Sequence, residues 1–302
     1  MVFRVAQISD AHLSASKPYF VANFLRVADH IGANGADLVI SSGDMSLDGA
    51  AQKEDLIAAK RLHARLDLPL RYLAGNHDIG ESQDTPEPRG LPLLSGLTRA
   101  RYVAHFGPDY WSLRVPGWRL LAVNDFLLGS DLPEAEALRR FVRQAAATAA
   151  GEALALFTHR PLFHLAADEQ DITGRFINPG PRAELFAALG GIWPALAACG
   201  HVHQFVSNVR AGCQHVWAPS TGFVMPDTQP CYGLKRTGYV EHLFAPDGTH
   251  LSRLVPVPGL ASPSITEFPQ AYAQYAEAGG PRGAAPEAAA RKGIAPKGAA
   301  QP

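Results

Sequence analysis

Seven side chains of transition-metal-binding type fall in short polar clusters along this sequence. The clusters are Ser9-Asp10-Ala11-His12, Ser42-Gly43-Asp44, Gly75-Asn76-His77-Asp78, Thr158-His159 and Gly200-His201-Val202-His203. Candidate ligands are Asp10, His12, Asp44, Asn76, His159, His201 and His203. Imidazole nitrogens mixed with carboxylate oxygens suit Zn, Mn, Fe or Co, whereas Ca and Mg prefer shells of oxygen. In Asp-x-His and His-x-His, alternate side chains of an extended segment leave on one side, within reach of one ion. Seven donors exceed what one tetrahedral ion uses. Two ions sharing a carboxylate use them all, and ions about 3.5–4 Å apart are a known hydrolytic device. Water between two such ions is acidified towards neutrality, which makes a nucleophile without a protein base.

These groups need a layered sheet to position them. Apolar runs at Val2–Ser9, Asp37–Ser42, Leu70–Ala74, Arg119–Asn124, Ala153–Thr158 and Ala195–Cys199 predict buried strands. Phe20–Asn34, Ala50–Leu66 and Glu134–Ala150 carry helical spacing between them. Each cluster follows the C-terminal end of a predicted strand, where open α/β sheets bind ligands. Beyond Gly200, Phe205–Arg210, Cys213–Ala218, Thr237–Phe244 and His250–Val255 predict antiparallel hairpins. The sum is an α/β domain with stacked sheets. Residues 1–258 form the predicted catalytic domain, with the polar stretches 80–97 and 164–182 as candidate lid loops. Residues 259–278 are a C-terminal extension. In 279–302, 17 of 24 residues are Ala, Gly or Pro, which predicts a disordered tail.

In this order, D-x-H, G-D, G-N-H-D, H and G-H-x-H resemble the calcineurin-like metallophosphoesterase superfamily over roughly residues 3 to 255. Thr158-His159-Arg160-Pro161 and Cys199-Gly200-His201-Val202-His203-Gln204 look most like bacterial class III cyclic-nucleotide phosphodiesterases and their glycerophosphodiesterase relatives. The resemblance implies a four-layer α/β/β/α sandwich. It implies one metal ion among Asp10, His12, Asp44 and His203 and another among Asp44, Asn76, His159 and His201, with Asp44 bridging. His77 would then face the leaving-group oxygen or a phosphoryl oxygen as general acid, with Asp78 as the acceptor that orients it. Asn76 and His77 are accordingly candidate substrate contacts. Relatives often read His-His-Pro where this chain has His159-Arg160-Pro161. Arg160 therefore either lends a positive charge near the phosphate or points to solvent. The implied activity is hydrolysis of a small soluble phosphodiester by a metal-bridging hydroxide, with 3′,5′-cyclic nucleotides ahead of glycerophosphodiesters. A phosphomonoesterase or lipid-linked phosphoester hydrolase is the runner-up in the same chemistry, and a non-catalytic scaffold is the rival from another class. Degenerate scaffolds lose ligands, and this chain keeps all seven together with His77.

Composition narrows the partners. The 302 residues are 47% hydrophobic and 18% charged, which excludes wholesale disorder. Lys plus Arg is 27 and Asp plus Glu is 28, and no basic, aromatic stripe tracks a strand, so a nucleic-acid polymer is not an expected partner. Two divalent ions with two carboxylates leave about +2 locally, which outweighs a weakly acidic surface screened beyond about 8–10 Å. No apolar run is long enough to span a bilayer, and the chain opens as a strand rather than a signal core. Cys199, Cys213 and Cys231 lack a C-x-x-C pair, which predicts buried, inert thiols and a cytoplasmic home. His164 opens the second candidate lid and is either a substrate contact or an ordinary loop residue. A homo-oligomer could use a sheet edge or a dimer face of the antiparallel C-terminal part, and no pattern in the sequence decides the oligomeric state. Taken singly, Asn-His-Asp is a turn and Gly-Asp a helix cap. Five such clusters at five strand ends leave coincidence a poor account.

Overall fold

A strand that is apolar at every position needs a packed layer on each side. The computed structural model, which describes residues 1–86, 90–149 and 151–272, supplies both layers. In chain order the elements are β1 (Phe3–Ile8), α1 (Val21–Asn34), β2 (Leu38–Ser42), α2 (Lys53–His63), β3 (Leu70–Leu73), α3 (Asn76–Ile79), α4 (Gly96–Phe106), β4 (Trp111–Val115), β5 (Trp118–Ala122), α5 (Pro133–Ala147), β6 (Ala153–Phe157), α6 (Pro179–Leu189), β7 (Leu196–Cys199), β8 (Val206–Arg210), β9 (Cys213–Trp217), β10 (Tyr239–Phe244) and β11 (His250–Val255). One sheet runs β11-β10-β1-β2-β3, with β1 to β3 parallel and β10 and β11 antiparallel. The other runs β4-β5-β6-β7-β9-β8, parallel from β5 to β9, with β4 and β8 as antiparallel edges.

Alternation along the strands sorts side chains between two cores. Val5, Ile40, Leu120, Phe157, Ala198 and Val216 pack between the sheets. Their neighbours Ala6, Val39, Leu121 and Leu156 pack instead with Phe24 and Val27 of α1, Leu56 of α2, Val142 of α5 and Leu185 of α6. The result is two mixed sheets face to face, flanked by helices.

Four elements lie where the spacing predicts none, the single-turn α3 among them. α4 starts at Gly96, because Ser95 Oγ accepts the Thr98 amide at 3.2 Å and caps it, so the candidate lid 80–97 ends at the cap. α6 claims 179–182 from the second candidate lid; Pro179 opens it and Gly190 closes it in the left-handed conformation. β4 forms a hairpin with β5 across Pro116-Gly117, a turn signal carried in the sequence itself. β9 corrects the expectation of purely antiparallel pairing beyond Gly200, since it lies parallel to β7. Cys199 and Cys213 are buried, but Cys231 is exposed, because it sits in a turn segment outside both cores. The tail 279–302 lies outside the described residues. Among the described residues no helix is long and apolar enough to cross a membrane.

Two buried histidines make the fold acid-sensitive. His63 packs 4.6 Å from Phe24, donates Nδ1–H to the Ala59 carbonyl at 2.8 Å and faces Ser41 Oγ at 3.3 Å. His242 lies between Gln7 Oε1 at 2.9 Å and Ser252 Oγ at 2.7 Å. Burial pushes the His63 imidazole down from 6.5 to about 4 and the His242 imidazole to about 3. A depressed base leaves the folded state neutral where the unfolded chain binds protons. Stability is therefore lost as pH falls from 6.5 towards about 4, at about 1.4 kcal/mol per pH unit for each ring. Urea unfolding of His63→Gln at pH 7, 6 and 5 should show a pH slope shallower by one ring's share. A slope equal to wild type would show that His63 does not control it.

Candidate metal centre

The polar clusters follow β1, β2, β3, β6 and β7 at one rim of the two sheets. The loops after β1 and β2 run side by side: the Asp10 and His12 amides donate to the Gly43 and Asp44 carbonyls, each at 3.0 Å. Close packing explains the glycines in the motifs. A Cβ on Gly43, whose φ is +106°, would lie 2.2 Å from His159 Nδ1, and one on Gly75 would lie 2.1 Å from Asp44 Oδ1. Five of the six described non-glycine residues with positive φ are Asp10, His12, Asp44, His201 and His203. Left-handed backbone is costly for such residues and persists where surrounding structure over-determines it, commonly at functional sites.

The donor atoms converge. Three groups each hold their ligand atoms within 4.8 Å of one another: Asp10, His12 and His203; His12, Asp44 and His77; and Asp44, His159 and His201. His12 Nε2 lies 3.2 Å from His203 Nε2, which is itself 3.2 Å from Asp10 Oδ1. His159 Nε2 stands 3.4 Å from Asp44 Oδ2 and 3.2 Å from His201 Nδ1. Donors bound at about 2.0–2.1 Å to one tetrahedral ion would be separated by similar distances. Asn76 Oδ1 is buried with no hydrogen-bond partner among the described residues, while its Nδ2 donates to Glu81 Oε1 at 3.0 Å. A buried carbonyl oxygen left over in this way fits a cation.

The rings are braced from outside. His159 donates Nδ1–H to the Ser42 carbonyl and His201 donates Nε2–H to the Gly174 carbonyl, both at 2.8 Å. His12 Nδ1 meets the Tyr272 hydroxyl at 2.7 Å. Such partners fix the tautomer of a ligating imidazole. Charges are strongly coupled here. Burial alone would raise the Asp10 carboxyl, but His203 and His159 outweigh it and hold it at about 2. Burial likewise opposes the charged form of His159, and Asp44 and Asp10 outweigh it and lift the ring to about 10. An ion bound by His159 must displace that proton.

The other expected site residues separate. His77 lines the cleft, donates its backbone amide to Asp44 Oδ1 at 2.9 Å and donates Nδ1–H to the Leu47 carbonyl at 2.6 Å. Asp78 is not its orienting acceptor. That carboxylate accepts Ser46 Oγ at 2.6 Å and the Ser46 and Gly75 amides at 2.9 and 3.0 Å, so it ties β2's loop to α3. Burial, joined by the Asp44 carboxylate, lifts it to about 6. Arg160 neither reaches the phosphate position nor points to solvent. Its guanidinium is fully buried, 2.7 Å from Asp125 Oδ2 and 4.4 Å over the Phe126 ring. Asp125 Oδ1 also accepts the His159 amide at 2.8 Å. Asn124-Asp125 is itself a polar pair at a strand end, the signal that marks the other clusters. His164 stacks on Phe176 at 5.6 Å and meets Tyr232 edge-on at 4.9 Å, behind the cleft wall.

The cleft above the donors holds about 740 Å³ of empty space, its open mouth included. Phe223, Met225, Tyr232 and Tyr272 are among its apolar lining, and Arg175 and Gln229, 2.8 Å apart, are among its polar lining. None of these is marked by motif or spacing. Arg175 carried the one available cue, a cation inside the second polar stretch.

Two stacked mixed sheets carry two carboxylates, four imidazoles and an amide on one rim, a donor set of the kind that can hold transition-metal ions. The chain belongs to the calcineurin-like phosphoesterase family, whose model matches residues 3–205. Members of this family are metal-dependent phosphoester hydrolases with a dinuclear site. The chain is 28% identical over 189 residues to the 3′,5′-cyclic adenosine monophosphate phosphodiesterase CpdA of Pseudomonas aeruginosa, covering 61% of each protein. The chain thus spans less than two thirds of that relative's length. Two solved structures share the fold. Purple acid phosphatase PPD1 from yellow lupin superposes with TM-score 0.59 at 15% identity, over 87% of this chain and 52% of that one. A dimetal phosphatase from Danio rerio superposes with TM-score 0.55 at 11% identity, over 84% and 99%.

Proposed function

We propose that this chain hydrolyses a small phosphodiester, a 3′,5′-cyclic nucleotide foremost, with two transition-metal ions as cofactors. Asp10, His12, Asp44 and His203 would hold one ion, and Asp44, Asn76, His159 and His201 the other. The observation that carries the reading is the convergence of these donors, all but the half-buried His201 buried, beneath a cleft lined by both apolar and polar side chains. Bound there, the ions would supply Lewis acidity that activates water and neutralises phosphoryl charge. Asp44 sets the spacing of the two halves, because its carboxylate faces His12 at 3.8 Å and His159 at 3.4 Å. His77, anchored through Nδ1 to Leu47, offers Nε2 to the cleft and protonates the departing alkoxide there. A diester brings two ester groups. The sugar edge would meet Arg175 and Gln229, and the base would lie on Tyr232 and Phe223, where an aromatic ring gains from stacking. The 28% identity to a cyclic-AMP phosphodiesterase supports the same choice.

The test compares kcat/KM of the manganese-loaded protein on bis(p-nitrophenyl) phosphate and p-nitrophenyl phosphate. The expected result is a preference for the diester of about 10-fold or more, since the second ester group gains a wall worth roughly 1–3 kcal/mol. A monoester preference would move the activity to a phosphatase. Turnover of neither, with ions bound, would favour the scaffold.

A further inference from the structure

The C-terminal extension beyond the family-matched span is sewn onto the front of the site. Asn23 Nδ2 donates to the Ala261 carbonyl at 2.9 Å, the Val224 amide donates to the Pro263 carbonyl at 2.9 Å, and the Ile265 amide donates to the Val224 carbonyl at 3.1 Å. Ile265 and Ala271 are buried with Phe20, Leu47 and Phe223, and Phe268 meets Phe20 at 5.4 Å. Lys17 Nζ, paired with Asp48 at 3.2 Å, donates to the Ala271 carbonyl at 3.3 Å. This anchoring delivers Tyr272 to the cleft. Its ring stands edge-on to His77 at 5.1 Å, and its hydroxyl lies 2.7 Å from His12 Nδ1.

We propose that Tyr272 is a positioning residue for the metal centre, its hydroxyl fixing the tautomer and orientation of His12. The inference rests on the two-ion reading given above. His12 Nε2 faces His203, Asp10 and Asp44, so the metal-holding form of the ring carries its proton on Nδ1 and donates it to Tyr272 Oη. The ring is 1% exposed, so water cannot readily replace that partner. Among the described residues, His203, the other imidazole of this half, has no hydrogen-bond partner on its Nδ1. Tyr272 is therefore the outer brace on which the imidazole geometry of the Asp10–His12–Asp44–His203 half depends. The second half is braced separately by Ser42 and Gly174. The described part of an extension with no motif of its own thus braces one half of the centre.

The test uses the full chain with Tyr272→Phe, which keeps the ring and removes the hydroxyl, beside Tyr272→Ala. Mn²⁺ affinities are measured by chelator competition and the two sites are resolved by the Co²⁺ visible spectrum. Losing an outer partner of a ligating histidine weakens metal binding by about 10–100-fold. Tyr272→Phe should show that loss for one of two ions, with the other within about twofold of wild type, and a Tm close to wild type. Tyr272→Ala should match it in metal affinity. Unchanged binding of both ions in Tyr272→Phe overturns the proposal, as does impairment confined to Tyr272→Ala, which would assign the effect to ring packing. A wild-type chain that binds no ion overturns the two-ion reading itself, a result distinct from either.

Discussion

Asp44→Asn is expected to lower kcat/KM by at least about 10³-fold, beyond the ~10²–10³ that follows loss of a single transition-state hydrogen bond. The carboxylate has three roles. Its Oδ2 faces His12 and His159, its Oδ1 holds the His77 amide, and its negative charge balances the imidazoles gathered on it. Burial alone would raise its pKa, but His159 and His77 outweigh that and hold the group well below the ordinary carboxylate range. The substitution keeps the shape and removes the charge. Metal analysis after gel filtration should therefore show both halves depleted, because in the proposed two-ion reading the lost carboxylate would serve both. Two ions retained per chain in Asp44→Asn would contradict the shared role, whatever happened to turnover.

His77→Ala should separate metal binding from chemistry. The ring's Nδ1 is committed to the Leu47 carbonyl, and its Nε2 is the atom offered to the cleft. Without a proton donor, a substrate with an alkoxide leaving group should lose about 10²–10⁴-fold in kcat. A nitrophenolate departs unprotonated, so bis(p-nitrophenyl) phosphate should be turned over within about 10-fold of wild type. Both ions should remain. Equal losses on the two substrates would remove the general-acid role. Loss of an ion would make His77 a ligand, as its place in the group with His12 and Asp44 permits.

Much of this architecture is written locally. Strands buried on both faces have continuous apolar runs, and β1, β2, β3, β5, β6 and β7 lie within a few residues of the runs that predict them. α4 and α6 escape that reading because their signals are caps rather than apolar period: Ser95 with Thr98, and Pro179 with Gly190. Asp78 and Arg160 show the limit for single residues. Each sits beside a candidate ligand, yet one carboxylate turns to the Ser46 hydroxyl and to backbone amides, and one guanidinium turns to Asp125. Adjacency in sequence does not say which way a side chain turns once the backbone leaves the strand.

The sequence by itself determined the kinds of donor, their order and their place after strand ends, because metal chemistry restricts residue type and sheet topology restricts where ligands can gather. The tertiary structure alone decided which atoms meet. Left-handed backbone at Asp10, His12, Asp44, His201 and His203 aims the donors, and no local pattern encodes it. Arg175 and Tyr232 enter the cleft from separate segments, and Tyr272 reaches His12 across 260 residues of chain. Contacts of that separation exist only after both cores have packed, since packing of the apolar faces is what brings distant segments together.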